Sequence, residues 1–112
     1  MSDNILSDYE ILVLAELKDS LNNFLGDRLV RLVVFGSRAR GDYDAESDID
    51  VALIIRGLTR ELKNQVLDMV TEKELKYLMP ISTLILSENN FERLKKLERR
   101  IALDIEREGI SL

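Results

Sequence analysis

The chain has 112 residues, a net charge of −5 at pH 7, and neither cysteine nor histidine. This length predicts one domain spanning residues 1–112, built around a single hydrophobic core. Without cysteine or histidine there is no disulfide framework, no thiolate zinc site and no imidazole base. Carboxylates are therefore the candidate metal ligands and proton acceptors.

Membrane and nucleic-acid partners are also disfavoured. The sequence contains no run of eighteen apolar residues, so no transmembrane helix is predicted. The acidic N-terminus lacks the basic residues of a signal peptide. We therefore expect a cytoplasmic protein. Long nucleic acid is bound mainly through phosphate neutralisation by Lys and Arg, which this acidic composition does not favour. A single nucleotide bridged by a metal ion remains compatible with the composition.

The first half of the chain predicts a helix followed by two strands. Ser7 and Glu10 have the spacing of a capping box, and the apolar stripe after them predicts a helix ending at Gly26. Leu29–Phe35 is almost continuously apolar, which predicts a central strand covered on both faces. The second strand, Asp48–Ile55, is polar at its start and apolar afterwards.

The second half predicts a helix, a strand and a final helix. Thr59 is a candidate cap for a helix over Arg60–Tyr77, and a third strand is predicted over Ile81–Leu86. Ser87 is a candidate cap for the last helix, predicted over Asn89–Glu108 and followed by a short tail. These elements predict an α/β fold in which a small mixed sheet of at least three strands is flanked by helices.

Two aspartates at the start of the second strand are the candidate metal ligands. Residues two apart on a strand point to the same face, so Asp48 and Asp50 project side by side. Two ionised carboxylates this close repel each other unless a cation lies between them. Oxygen ligands suit a hard cation, and Mg²⁺ typically takes one or two carboxylates together with substrate phosphates.

A Gly-Ser turn at the end of the first strand is the candidate phosphate-binding element. Gly36 has no Cβ to obstruct a ligand, and Ser37 could cap a short helix whose N-terminus faces phosphates. At least one of the nearby Arg38 and Arg40 is expected to contact a phosphate oxygen. For the acidic loop after these arginines, a solvated connection is favoured over a metal-binding role.

These residues carry a resemblance to a known family. Gly36-Ser37, ten further residues and then Asp48-x-Asp50 resemble the signature of the nucleotidyltransferase fold of the DNA polymerase β superfamily. The segment Arg38-Ala39-Arg40-Gly41, directly after the serine, agrees with it. The chain is most similar to the small stand-alone members called minimal nucleotidyltransferases, and the motif covers about a fifth of its length.

The resemblance implies an enzyme with defined residue roles. Asp48 and Asp50 would hold Mg²⁺ against the phosphates of ATP or another nucleoside triphosphate, while Gly36, Ser37 and Arg40 bind the terminal phosphates. Minimal nucleotidyltransferases commonly work with an all-helical partner, in many pairs a HEPN-domain toxin. The resemblance therefore implies an antitoxin-like adenylyltransferase that moves AMP to a tyrosine hydroxyl of such a partner.

The third strand departs from the family pattern. A third carboxylate usually lies there and often acts as the base for the attacking hydroxyl, whereas the matching position in this chain is Ser82. An acidic residue of the loop, Asp42, Asp44 or Glu46, could substitute for it, or the acceptor could be positioned by a partner.

Two alternative functions stay open at this point. In the first, a catalytically weak or inactive nucleotide-binding module neutralises a helical partner by complex formation. In the second, the chain transfers a nucleotidyl group to a small molecule, and a separate subunit supplies the substrate pocket.

Overall fold

A computed structural model describes residues 6–36 and 48–112 of the chain. Helix α1 spans Asp8–Leu25 and begins with the predicted capping box, in which Ser7 accepts from the Glu10 N–H and the Glu10 side chain accepts from the Ser7 N–H. The helix ends where Gly26 takes a left-handed φ of 57° and starts a 3₁₀ turn over Gly26–Arg28. Both predicted ends of this helix are confirmed.

Within these described residues, four strands form one mixed sheet in the order β3-β2-β1-β4. They are β1 (Leu29–Phe35), β2 (Ile49–Ile55), β3 (Ile81–Ser87) and β4 (Ile110–Ser111). The β2–β3 pair is parallel, and the other two pairs are antiparallel. The predicted α/β class and the central position of β1 are confirmed, whereas the predicted tail is in fact the edge strand β4.

Helix α2 spans Arg60–Tyr77, the predicted bounds, and the Thr59 side chain accepts from the Leu62 N–H at its start. It ends at Leu78, whose φ of 51° is left-handed, and the Met79 N–H donates back to the Glu74 carbonyl. This bond spans six residues and is typical of a Schellman ending.

The prediction of a single C-terminal helix over Asn89–Glu108 is wrong. The structure has two helices there, α3 (Glu88–Lys96) and α4 (Arg100–Glu108). Between them Glu98 adopts a left-handed φ of 55°, and the Arg99 N–H donates to the Leu94 carbonyl. This ending turns the chain, so that α4 packs on the sheet beside α3 instead of continuing away from it.

The hydrophobic core lies on both faces of the sheet. On one face, apolar residues of α1 and α2, such as Leu17 and Val66, pack against alternate strand residues such as Val51. On the other face, α3 and α4 contribute Phe91, Ala102 and Ile105, which pack against Val33, Ala52 and Ile54. Because strand side chains alternate, the face on which each polar strand residue projects follows from its register.

Helices α1 and α2 are also joined by a polar cluster around Glu16. Lys73 and Lys76 place their ammonium groups 3.6 and 3.2 Å from Glu16 Oε1, and the Tyr77 hydroxyl donates to Oε2 of the same carboxylate. The hydrogen bond from Lys76 holds the pKa of the Glu16 carboxyl below its ordinary value.

Within the described residues, no helix is long and apolar enough to cross a membrane.

Candidate active site

The pairing of β1 with β2 brings the two ends of the motif together. The strands are antiparallel, so the end of β1 lies beside the start of β2, and Phe35 is paired with Asp50. Asp50 occupies the second position of β2 and is half-buried, whereas Asp48 precedes the strand and is exposed. Asp50 shares its face of β2 with Ala52 and Ile54, so it projects on the side covered by α3 and α4.

The Asp50 carboxylate occupies the space in which a side chain at Gly36 would lie. The φ of Gly36 is +76°, and a Cβ built on this residue would lie 2.5 Å from Asp50 Oδ2 and 3.3 Å from Asp50 Cγ. Glycine is thus required here for two reasons, the left-handed backbone and the carboxylate that fills the space of a side chain. The sequence predicted that a bound phosphate could approach the backbone closely at Gly36. The structure adds that the carboxylate of Asp50, a candidate metal-binding residue, also lies close to Gly36.

Ser82 is the neighbour of Asp50 on the other side. In the parallel β2–β3 pair Asp50 is in register with Ser82, which is exposed and shares its face of β3 with Leu84 and Leu86. The position matched to the third carboxylate in the sequence therefore lies beside Asp50. In the part of the chain that the structure describes, no group of three acidic, histidine or cysteine side chains is arranged to hold a metal ion.

Several predicted residues lie outside the described part of the chain. Ser37, Arg38 and Arg40 fall between residues 36 and 48, as do the acidic residues of the loop. Their predicted roles stay predictions. Of the five candidate site residues, the described part contains Gly36, Asp48 and Asp50.

Phe35 is the site neighbour that the sequence did not identify. The apolar run assigns it only to a strand, but its pairing places it beside Asp50, and its side chain packs against the apolar cluster under α3 and α4. The sequence contained a partial signal, because Phe35 lies two residues after the apolar Val33 and therefore projects on the same face of the strand. The missing information was the direction of β2 relative to β1.

A depression at the opposite end of β2 is separate from this site. It has a volume of about 210 Å³ and is lined by Arg56, Gly57, Leu58, Ser87, Glu88 and Asn89. Arg56 Nε lies 2.9 Å from Glu88 Oε1, and the hydrogen bond from Arg56 lowers the pKa of the Glu88 carboxyl. Since Asp50 is at the start of β2 and Arg56 follows its end, the depression takes no part in the carboxylate site.

Comparison with known proteins identifies the family. The sequence profile described as "Nucleotidyltransferase domain" matches residues 14–108. The chain belongs to the nucleotidyltransferase family. The matched range includes both ends of the motif and every strand except β4. Nucleotidyltransferases of this superfamily typically use a divalent metal ion.

Two relatives of this nucleotidyltransferase come from Methanocaldococcus jannaschii, and each is named "Putative protein adenylyltransferase". One is 38% identical over 74 residues, which cover 65% of this chain and 75% of the relative. The other is 36% identical over 78 residues, which cover 70% of this chain and 74% of the relative.

A solved structure has the same fold. A crystal structure titled as a "putative nucleotidyltransferase from Sulfolobus solfataricus" superposes with a TM-score of 0.57. The match covers 90% of this chain and 77% of the other, at 20% sequence identity. The likeness confirms the nucleotidyltransferase fold.

Proposed function

We propose that this nucleotidyltransferase transfers AMP from ATP to a hydroxyl group of a partner protein. The observation that carries the proposal is the position of the Asp50 carboxylate, against Gly36 at the end of β1 and in register with Ser82 on β3. Strand pairing on both sides fixes the backbone of Asp50, and hence the point from which its carboxylate projects. A group placed in this way can be aligned with a bound triphosphate in advance of reaction, which is the main contribution a protein makes to transfer at phosphorus.

The donor set at the start of β2 fits a magnesium ion. Asp48 and Asp50 offer only oxygen, the ligand type that Mg²⁺ prefers, and the exposure of Asp48 leaves room for substrate phosphates. These two carboxylates would hold the ion. When bound, the ion would neutralise negative charge on the phosphates.

The Gly-Ser turn and one arginine are the proposed phosphate-binding groups. The backbone at Gly36 and Ser37 would donate N–H groups to the terminal phosphates, and Arg40 would add a charge-assisted hydrogen bond. The acceptor oxygen then forms a bond to the α-phosphorus as the bond from that phosphorus to the pyrophosphate oxygen breaks. Pyrophosphate leaves with the electron pair of the broken bond, and the hydroxyl proton passes to water.

The proposed acceptor is a tyrosine of an all-helical HEPN-type toxin, for which this protein would act as the antitoxin. The names of the relatives support a protein acceptor, since both proteins from Methanocaldococcus jannaschii are named as putative protein adenylyltransferases.

Intact mass of a candidate HEPN-type partner tests the proposal. The candidate partner would be expressed alone, with the wild-type protein, and with the Asp48→Ala/Asp50→Ala variant. Asp19→Ala/Asp68→Ala is a matched control, since it removes two exposed carboxylates from helices α1 and α2. We expect AMP-sized additions with the wild type and the control only. Partner that is bound and inhibited without any addition would contradict the proposal.

A second candidate function is a binding module with little or no turnover. Ser82 favours it, because serine beside Asp50 can neither accept a proton as a carboxylate does nor bind Mg²⁺ strongly. Ser82→Asp separates the two candidates. An active site should gain Mg²⁺ affinity and transfer rate from a third carboxylate beside Asp50. A binding module should inhibit its partner equally well as wild type, Ser82→Asp and Asp48→Ala/Asp50→Ala.

A further inference from the structure

Strand β3 forms a long edge of the sheet. It spans seven residues and, among residues 6–36 and 48–112, pairs only with β2, whereas the opposite edge, β4, has two residues. Natural proteins protect such edges with charged residues, proline or a bulge, because unpaired backbone groups attract other strands. The sequence of β3, Ile-Ser-Thr-Leu-Ile-Leu-Ser, contains neither a charged residue nor a proline. The sequence of this edge therefore lacks the charged residues and prolines that normally prevent pairing with another strand.

The backbone groups that face outward can be assigned from the observed hydrogen bonds. The Ile49 N–H of β2 donates to the Pro80 carbonyl, so the even-numbered residues of β3 face β2 and the odd-numbered residues face outward. The outward N–H of Ile81 is satisfied within the chain, since it donates to Glu74 Oε2 at 2.9 Å. Among the described residues, no hydrogen bond involves the outward backbone groups of Thr83 and Ile85.

The open part of the edge has a sequence that matches its own reverse. From Thr83 to Ser87 it reads Thr-Leu-Ile-Leu-Ser, which is symmetric about Ile85 apart from the exchange of one hydroxyl residue for another. An antiparallel pair of two such strands, with a two-fold axis at Ile85, places Thr83 opposite Ser87 and Leu84 opposite Leu86. Like side chains then face each other at every position, which stabilises a cross-strand pair.

From these features we infer that β3 pairs with β3 of a second copy of this chain, which joins the four described strands of each copy into one continuous sheet. The register is set by the backbone, because Thr83, Ile85 and Ser87 are the residues whose outward groups would form the new hydrogen bonds. Leu84 and Leu86 would occupy the closer, non-hydrogen-bonded positions of the antiparallel pair. Such a contact is isologous, so it closes at two copies.

The side chains of the edge support the same pairing. The Thr83 hydroxyl is buried and has no hydrogen-bond partner within the described part of the chain, which is costly for a polar group. In the two-fold pair it lies opposite the partner subunit's Ser87, whose hydroxyl can accept a hydrogen bond. Leu84 and Leu86 are half-buried in the single chain and would gain apolar contacts with each other across the axis.

The proposed dimer leaves both carboxylate sites separate. Ser82 lies three residues from the axis, so the two copies of this residue are roughly 20 Å apart along the strands at about 3.3 Å per residue. Each site would be completed within its own chain. The inference rests on the sheet edge alone and does not depend on the proposed transfer of AMP.

Sedimentation equilibrium of the purified protein, with two matched variants, tests the pairing. In the proposed pair, residue 84 of each copy faces residue 86 of the other, which gives two equivalent contacts. Leu84→Lys/Leu86→Lys places two positive charges at each contact, whereas Leu84→Lys/Leu86→Glu places one positive and one negative charge there. We expect a dimer for the wild type between about 10 µM and 1 mM, the range suited to a small interface. The first variant should associate at least about tenfold more weakly. The second should remain dimeric, and circular dichroism checks that both are folded.

Amide hydrogen exchange of the wild type provides a readout that needs no variant. The N–H groups of Thr83 and Ile85 should exchange more slowly as the protein concentration rises, while those of Leu84 and Leu86 are protected by β2 at every concentration. A monomer over the whole concentration range would overturn the inference. A dimer in which the Thr83 and Ile85 amides exchange freely would also overturn it, as would protection of these amides only after a different protein is added.

Discussion

Replacing Gly36 with alanine tests the contact between the end of β1 and the Asp50 carboxylate. The new methyl group would start 2.5 Å from Asp50 Oδ2, on a backbone whose φ is +76°. A non-glycine residue in this left-handed region costs about 1–2 kcal/mol. Asp50 Cγ and Cβ lie at 3.3 and 3.5 Å, so rotation of the carboxylate can relieve most of the overlap. An unfavourable rotamer would add about 0.5–1.5 kcal/mol.

Gly57→Ala is the matched control for this change. Gly57 has a similar φ of +68°, but a Cβ built on it meets nothing within 4 Å. The control should therefore lose about 1–2 kcal/mol of unfolding free energy from the backbone alone. Gly36→Ala should lose about 1.5–3.5 kcal/mol, the sum of the backbone and rotamer costs.

Three measurements compare the two variants: urea unfolding followed by circular dichroism, Mg²⁺ binding by calorimetry, and AMP transfer by intact mass. We expect Gly36→Ala to weaken Mg²⁺ binding and transfer roughly 10-fold or more, the scale seen when a metal ligand loses its support. Gly57→Ala should leave both unchanged. The reasoning would be refuted by a Gly36→Ala variant that binds Mg²⁺ as the wild type does, or by equal losses of binding in the two variants.

Two further changes address the fold. Gly109→Ala should reduce the free energy of unfolding by about 1–3 kcal/mol in urea, because its Cβ would overlap the Val33 side chain and the Ile105 carbonyl. Glu16→Gln should weaken the dependence of stability on acidic pH. The pKa of Glu16 is lower in the folded chain, mainly through the hydrogen bond from Lys76, so its contribution is present above the ordinary pKa of 4.5 and is lost as the pH falls through the folded value. The wild-type urea midpoint should fall more on acidification than that of the variant.

Each of these two predictions has a clear contrary result. A Gly109→Ala variant as stable as the wild type would mean that α4 and β4 can shift without cost. Equal acid sensitivity of the wild type and Glu16→Gln would mean that the cluster joining α1 to α2 does not contribute to the pH dependence of stability. Asp68→Asn is a suitable control for the second experiment, since Asp68 is an exposed carboxylate on α2.

Helix starts and strand cores were predictable because their signals are local. Ser7, Thr59 and Ser87 each accept a hydrogen bond from a backbone N–H three residues ahead, and a hydroxyl at that spacing is visible in the sequence. The bounds of β1 and α2 were predicted correctly for the same reason, since an apolar run or stripe is bounded by residues that favour turns.

The C-terminal region was not predictable from such signals. Nothing local distinguishes the segment around Glu98 from a continuing helix, because charged residues are good helix formers. The break at Glu98 is stabilised by the tertiary contacts of α4 and β4. Ala102 and Ile105 reach the apolar face of the sheet, and Ile110 pairs with Val34 of β1. These contacts join residues far apart in the chain.

The sequence by itself determined the α/β class, and it nominated the two aspartates and the Gly-Ser turn as candidate site residues, because each inference depends on residue types at short spacing. Only the tertiary structure decided that Asp50 lies against Gly36 and beside Ser82, and that β3 is an open edge. Strand order and register depend on which strands pair, and that choice is made by packing on both faces of the sheet. The residues near the carboxylate therefore become known only once the chain has folded.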